Sequence, residues 1–149
     1  MGEAAGPDDP VERFGSAKRP DRPVAKPRPD GVSDATVAAL GKLSAALEVV
    51  EHARGLLYAF HRYCGTADLE LQEAVADLRR AGHPQLADEL DDVLVGRDLF
   101  DDKWSFQIVE GYDANYWQVF RALEQRARQV AGALDEHVFE AEMKHREQQ

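Results

Sequence analysis

The chain is poor in cysteine, the residue that forms covalent cross-links and many metal sites, since Cys64 is the single cysteine in 149 residues. One thiol excludes an intramolecular disulfide and any zinc or iron–sulfur site made from several cysteines of one chain. No apolar run approaches the roughly 20 residues that span a bilayer. The start of the chain, rich in acids and prolines, lacks the basic and apolar segments of a signal peptide. We therefore expect a cytoplasmic protein with no membrane partner.

Proline is nearly absent after residue 32, because six of the seven prolines lie before that point. Residues 1–32 also carry few large apolar side chains, so they cannot bury enough surface to offset the entropy of ordering. The sequence predicts a disordered, proline-rich tail over residues 1–32 and a helical bundle domain over residues 33–149. Pro20 and Pro23 have the spacing of a polyproline II ligand, so a linker and a docking motif both stay open for the tail.

Asparagine and isoleucine occur once each, and arginine outnumbers lysine 13 to 5. This bias is typical of GC-rich codons and predicts a high-GC bacterial source. The net charge of -10 lies wholly in residues 33–149, which contain 22 acids and 12 bases. An acidic domain repels phosphate backbones, so we expect no binding of nucleic acid through the folded domain.

Apolar residues recur every three or four positions over most of the domain, which predicts helices. We expect an all-α fold, namely an antiparallel helical bundle with two long and two short helices. Gly65 is the expected end of the first helix, and Thr66 is the expected cap of the second. The predicted helices cover about 34–63, 66–82, 84–96 and 113–146.

Residues 97–112 interrupt the helical pattern and form an aromatic-rich segment before the last helix. Trp104, Phe106 and Ile108 alternate like a strand, yet Trp104, Ile108 and Tyr112 also fit a helical turn. Loop, strand and short helix all stay open, and we favour an ordered loop whose aromatic rings close the end of the bundle. Six of the twelve aromatic residues lie within 17 positions, namely Trp104, Phe106, Tyr112, Tyr116, Trp117 and Phe120.

Two polar residues, Arg54 and His61, fall inside the apolar arc of the first helix when it is drawn at 100° per residue. Glu51 and Tyr58 flank them. A buried guanidinium needs an acidic partner, which Glu51 or an acid of the 97–113 segment would supply. The strip is either a structural salt bridge or a pocket for an anionic or polar ligand. The candidate ligand-binding residues are Glu51, Arg54, Tyr58, His61, Arg97, Trp104, Tyr112 and Trp117.

Motifs that carry catalysis or metal binding are not found in the sequence. Glu142 and His145 form one Glu-x-x-His pair, whereas a di-iron bundle needs two pairs and two further glutamates. The acidic residues between positions 88 and 102 lack the alternation of a calcium loop. No serine motif or glycine-rich phosphate loop occurs. We therefore expect no catalytic residue, no metal and no cofactor.

Three segments of the chain, GRDLFDDKWSFQIVEGYDANYW, ARGLLYAFHRYCGTADLEL and RRAGHPQLADEL, resemble small helical proteins common in actinobacteria. That group has no assigned activity, so the resemblance implies no functional residue. The sequence predicts a non-enzymatic protein-interaction or scaffolding module. The alternative is a small-molecule binding protein or enzyme with a pocket around Arg54, His61 and Trp104.

The length of the last predicted helix points to a homodimer. A helix over 113–146 would extend about 50 Å, while a compact globule of about 117 residues is only 30–35 Å across. Leu134, Val138 and Ala141 keep the apolar spacing near its end, where partners within the chain should run out. We therefore expect a second copy to cover these side chains.

Overall fold

The computed structural model describes residues 15–149, in which every regular element is a helix and the β-type pairing is confined to one isolated bridge between Phe100 and Lys103. The prediction of an all-α fold is confirmed. None of the described helices has the length and hydropathy needed to cross a membrane. The elements are α1 (Asp34–Arg80), α2 (Pro84–Val93), α3 (Ser105–Tyr112), a π-helical turn (Asp113–Trp117), α4 (Gln118–Val130) and α5 (Val138–Glu147).

The chain divides into two compact units. The terminal unit comprises Ala127–Gln149 together with residues 15–44 of the described part. The central unit is Ala45–Arg126. Helices α1 and α4 each contribute residues to both units.

The terminal unit is built around a small apolar core. Val37 of α1, Leu134 and Val138 are buried in contact with one another. Gly41 allows close packing beside this core, because a Cβ atom there would lie 3.1 Å from the Cβ of Phe139. The partly buried side chains that pack against the core are Val32, Leu40 and Ala131.

The predicted single helix over 113–146 is wrong, because α4 ends at Val130 and α5 begins at Val138. Gly132 has a φ of +123°, and a Cβ atom there would lie 2.7 Å from Val32 Cγ2, so the turn requires glycine. The turn brings Leu134 and Val138 into the core of the terminal unit. These side chains therefore give no support to the dimer contact expected from the helix length.

The predicted end of the first helix at Gly65 is also wrong, because α1 continues to Arg80. Thr66 does not cap a new helix. Its hydroxyl donates a hydrogen bond of 3.1 Å to the carbonyl oxygen of Arg62, one turn earlier in the same helix. Interior glycine costs only about 1 kcal/mol in a helix, and burial of Val75 farther along stabilises the continuation.

The segment predicted as an aromatic loop over 97–112 is half loop and half helix, since α3 begins at Ser105. Gln107 Oε1 accepts a hydrogen bond of 2.8 Å from the backbone N–H of Trp104 and so caps the start of α3. The indole N–H of Trp104 donates to the carbonyl oxygen of Gly96 at 3.2 Å. These two bonds hold the end of the loop against the helix that follows.

Residues 15–32 contain no helix or strand, but Arg28 attaches their end to α5. Its Nε and Nη2 donate to the two carboxylate oxygens of Glu142, both at 2.7 Å. These bonds lower the pKa of Glu142, against the opposing effect of its burial. Residues 1–14 of the predicted tail lie outside the described residues, and the boundary at residue 32 stays a prediction.

The burial of Leu134 predicts a clear difference between two leucine-to-alanine variants. Leu134→Ala should lower the free energy of unfolding by about 2–5 kcal/mol, because it leaves a cavity in the terminal unit. Leu123→Ala is the control, since Leu123 is 57% exposed and its loss should cost less than about 1 kcal/mol. Urea unfolding followed by circular dichroism measures both. Equal midpoints would place Leu134 at the surface and contradict the turn at Gly132.

Candidate functional site

The central unit holds Arg54 in what we call the arginine clamp, formed by Arg54, Tyr58, Asp113 and Trp117. Arg54 Nε donates to Asp113 Oδ1 at 2.7 Å, and Arg54 Nη2 donates to Asp113 Oδ2 at 2.9 Å. The hydroxyl of Tyr58 donates to Asp113 Oδ2 at 3.0 Å, and its oxygen accepts from Arg54 Nη2 at 3.1 Å. This is the bidentate geometry in which arginine binds a carboxylate most strongly.

Aromatic rings complete the clamp. The guanidinium carbon of Arg54 lies 3.9 Å from the ring centroid of Trp117 and 4.8 Å from that of Tyr58. Arg121 also lies 4.8 Å from the centroid of the Trp117 ring. A cation at these distances is attracted by the ring quadrupole, and the attraction grows as water is excluded.

The ionisation of the clamp follows from these contacts. Hydrogen bonds from Arg54 are the main cause that lowers the pKa of Asp113, opposed by burial and supported by Tyr58. The same bonds raise the pKa of Arg54. Both groups therefore stay charged at neutral pH, with the planar face and two donor atoms of Arg54 engaged by the protein. The clamp has the geometry of a structural ion pair, and Glu51 is exposed rather than the partner of Arg54.

The π-helical turn carries both Asp113 and Trp117. Its distinguishing bond joins the N–H of Gln118 to the carbonyl oxygen of Asp113, five residues earlier. Tyr112, just before the turn, donates its hydroxyl to the carbonyl oxygen of Val50 at 3.4 Å, and burial raises the pKa of Tyr112. The rings of Tyr112, Tyr116 and Phe120 contact one another in sequence in tilted and edge-to-face arrangements, with centroid separations of 5.4 and 6.0 Å.

Two turns along α1 from the clamp, His61 borders a cavity of about 110 Å³, which we call the His61 cavity. His61 Nδ1 and Ser105 Oγ are hydrogen-bonded at 2.7 Å, and Ser105 is buried at the start of α3. Asp68 Oδ1 accepts a bond of 2.9 Å from the N–H of Gly96. The lining residues are His61, Cys64, Gly65, Asp68, Arg97, Leu99, Trp104 and Ser105.

The predicted site residues therefore separate into two groups. Arg54, Tyr58 and Trp117 belong to the clamp. Tyr112 lies just before the π-helical turn that carries Asp113 and Trp117. His61, Arg97 and Trp104 line the cavity. The expectation that an acid of the 97–113 segment pairs with Arg54 agrees with the position of Asp113. No motif in the sequence marks Ser105, Asp68 or Leu99 as functional, although Asp68 lies seven residues after His61, which is two turns on the same side of α1.

The His61–Ser105 pair has the distance of a base and a nucleophile, but a hydrolase needs more than these two groups. An acid must orient the imidazole through its other nitrogen, and donors must face a developing oxyanion. Within residues 15–149, the imidazole of His61 is hydrogen-bonded to Ser105, and no carboxylate is hydrogen-bonded to it.

No family model, no curated protein and no solved structure matches this chain. The resemblance to small actinobacterial proteins stays a prediction. Function has to be argued from the chemistry of the chain itself.

The lowered pKa of Asp113 predicts how acid acts on the clamp. Its folded value lies below the ordinary 3.8, so ionised Asp113 contributes stability that is present above that value and is lost as pH falls through the folded pKa. Asp113→Asn keeps the size of the side chain but removes the charge. The variant should be less stable than the native chain at about pH 5, and the gap should shrink below about pH 3.8.

Thermal unfolding of the native chain and of Asp113→Asn across this pH range measures the gap. Comparing the two chains at each pH cancels the contribution of the Arg28–Glu142 pair. A gap that stays constant down to about pH 2 would show that Asp113 does not ionise with a lowered pKa in the fold.

Proposed function

We propose that this chain is a non-enzymatic protein-interaction module that binds through an exposed apolar side of α1. The α1 face, as we call it, consists of Val49, Leu56, Phe60 and Tyr63. Their exposed fractions are 70%, 61%, 43% and 75%, so one helix exposes four large apolar side chains to solvent. A group of exposed apolar side chains on one side of a helix typically marks an interaction site.

The spacing of these residues places them on a single side of the helix. At 100° per residue all four lie within about 40° of Leu56, along about 21 Å of the helix axis. Arg54 and His61 lie at about 160° and 140° from Leu56, on the side that faces α3 and the π-helical turn. Helix α1 therefore has a second apolar side besides the one that is packed within the central unit.

The partner that best fits the α1 face is a second copy of the chain. The ends of the face are symmetric about Leu56, since Val49 and Tyr63 each lie seven residues from it, and Phe60 is matched by His52 at four residues. If two α1 helices pack antiparallel about a two-fold axis at Leu56, Val49 of one chain meets Tyr63 of the other. Such self-complementarity is what an isologous dimer interface requires.

The lack of carboxylates on the α1 face favours a second copy as the partner, and the small area of the face limits the affinity. The acidic and basic residues Glu51, Arg54 and Arg62 each lie more than about 100° from Leu56 on the helix, while His52 lies about 40° from it. The acidic chain therefore presents a contact without carboxylates to its copy. A contact of this length buries on the order of 500 Å² per chain, below the usual 800 Å², so we expect a dissociation constant in the micromolar range.

A charge placed on the α1 face should separate the two copies. Leu56→Glu puts two carboxylates together at the two-fold axis, so this variant should keep the monomer mass of 16.6 kDa. Light scattering of the native chain should approach twice that mass as the concentration rises. Leu69→Glu is the matched control, because Leu69 is 64% exposed on the same helix but lies about 140° away from Leu56.

The Leu69→Glu variant should dimerise like the native chain. A native chain that stays at the monomer mass up to about 1 mM, far above micromolar dissociation constants, would overturn the second copy as occupant. Equal loss of dimer in both variants would place the contact elsewhere on α1.

The orientation of the two helices is tested by cross-linking. Val49→Cys and Tyr63→Cys are each made in a Cys64→Ser background. Oxidation of a mixture of the two variants should give a disulfide-linked dimer, while each variant alone should react slowly. Rapid cross-linking of Val49→Cys alone would indicate parallel helices and contradict the two-fold axis at Leu56.

A further inference from the structure

The His61 cavity has the size for a small organic molecule. Its volume of about 110 Å³ is several times the roughly 10–15 Å³ that a cavity needs to hold one water molecule. Leu99, Trp104 and Gly65 supply apolar walls. A ligand that fills this space has an apolar body of a few atoms, with any charged group at the rim.

The polar side chains Asp68 and Trp104, which line the cavity, are already hydrogen-bonded within the protein. Asp68 accepts from the N–H of Gly96 through Oδ1 and from the side-chain amide of Gln72 through Oδ2, at 2.9 and 2.8 Å. The indole N–H of Trp104 donates to the carbonyl oxygen of Gly96. The cavity is therefore preformed, and a ligand does not have to order its walls.

Arg97 differs from the arginines that build the fold. Arg28, Arg54 and Arg79 each have a carboxylate within 2.9 Å. Among the described residues, Arg97 has no carboxylate within ion-pair distance, and its recorded bond is a long one of 3.4 Å from Nη1 to the carbonyl oxygen of Val93. Its planar fork of donors at the edge of the cavity is matched to a carboxylate.

We propose that the His61 cavity binds a small organic carboxylate, with the apolar body against Leu99 and Trp104 and the charge on Arg97. Asp68 in the cavity lining and the neighbouring acids Asp98, Asp101 and Asp102 oppose an anion and keep the affinity modest. These acids would attract an amine, so comparing an anion with a cation of similar size tests the proposal directly.

Cys64 reports on occupancy because it lines the cavity and is the single cysteine of the chain. The probe is butyrate, with butyramide as the uncharged control and butylammonium as the cation of similar size. Butyrate should slow the alkylation of Cys64 by iodoacetamide, by about tenfold at ten times its dissociation constant, from mass action. The other two molecules should have much smaller effects at the same concentration.

Two variants assign the effect to Arg97. Arg97→Gln should abolish protection by butyrate, while Arg62→Gln, an exposed arginine of α1 outside the cavity lining, should retain it. A second measurement follows the indole N–H resonance of Trp104, identified by its loss in Trp104→Phe. Butyrate should shift this resonance in the native chain and in Arg62→Gln but not in Arg97→Gln.

Every result bears on the proposal. Protection by butylammonium that equals or exceeds that by butyrate would overturn it, and so would unchanged protection in Arg97→Gln. Absence of both protection and a resonance shift with butyrate would overturn it as well. Repeating the measurement in the Leu56→Glu variant separates protection by the ligand from protection by dimer formation.

Discussion

The bidentate pairing of Arg54 with Asp113 is the interaction on which the central unit depends. The side chains of the two residues are only 27% and 18% exposed, so each has lost much of its water and must be compensated by the other. The pair joins the middle of α1 to the π-helical turn. Once this distance is fixed, α3 must run past the next turns of α1, and Ser105 reaches His61.

The two sides of α1 have different surroundings, because the pairing of Arg54 with Asp113 packs only one of them against other elements. On its packed side α1 supplies Arg54 and His61, which determine where α3 and the π-helical turn lie. On the opposite side it supplies the α1 face, whose side chains are exposed. The proposed binding surface and the packed surface therefore lie on different sides of α1, so a change on the α1 face leaves the contacts of the clamp intact.

Much of this organisation follows from helical periodicity alone. Drawing α1 at 100° per residue shows that Arg54 and His61 interrupt an apolar arc, and burial of a guanidinium then requires an acid. Which acid it is does not follow, because the π-helical turn shifts the phase of the chain at Asp113 and no local propensity announces such a turn. The extent of α1 was underestimated for a related reason, since tertiary contacts beyond Gly65 outweigh its weak helical propensity.

The break at Gly132 shows a second limit of prediction from helical periodicity. The apolar spacing of Leu134, Val138 and Ala141 is compatible with one continuous helix, and periodicity cannot distinguish that helix from a turn followed by a second one. Packing decides it, because the turn lets Leu134 and Val138 reach Val37. A pattern that looked like a surface for another chain is satisfied within the chain.

The π-helical turn has a consequence for how this helix can change over time. It holds one residue more than a regular α-helical turn would need, so losing one residue between positions 113 and 117 would still allow an unbroken helix. The side chains after the deletion would keep nearly their present direction, because a turn closed by an i→i+5 bond rotates the chain by about as much as one α-helical turn with one residue fewer. Glu124 would stay buried, whereas the spacing of Asp113 and Trp117 below Arg54 would change. The turn is therefore a place where the length of the chain can change with effects confined to the clamp, while α4 keeps its contacts.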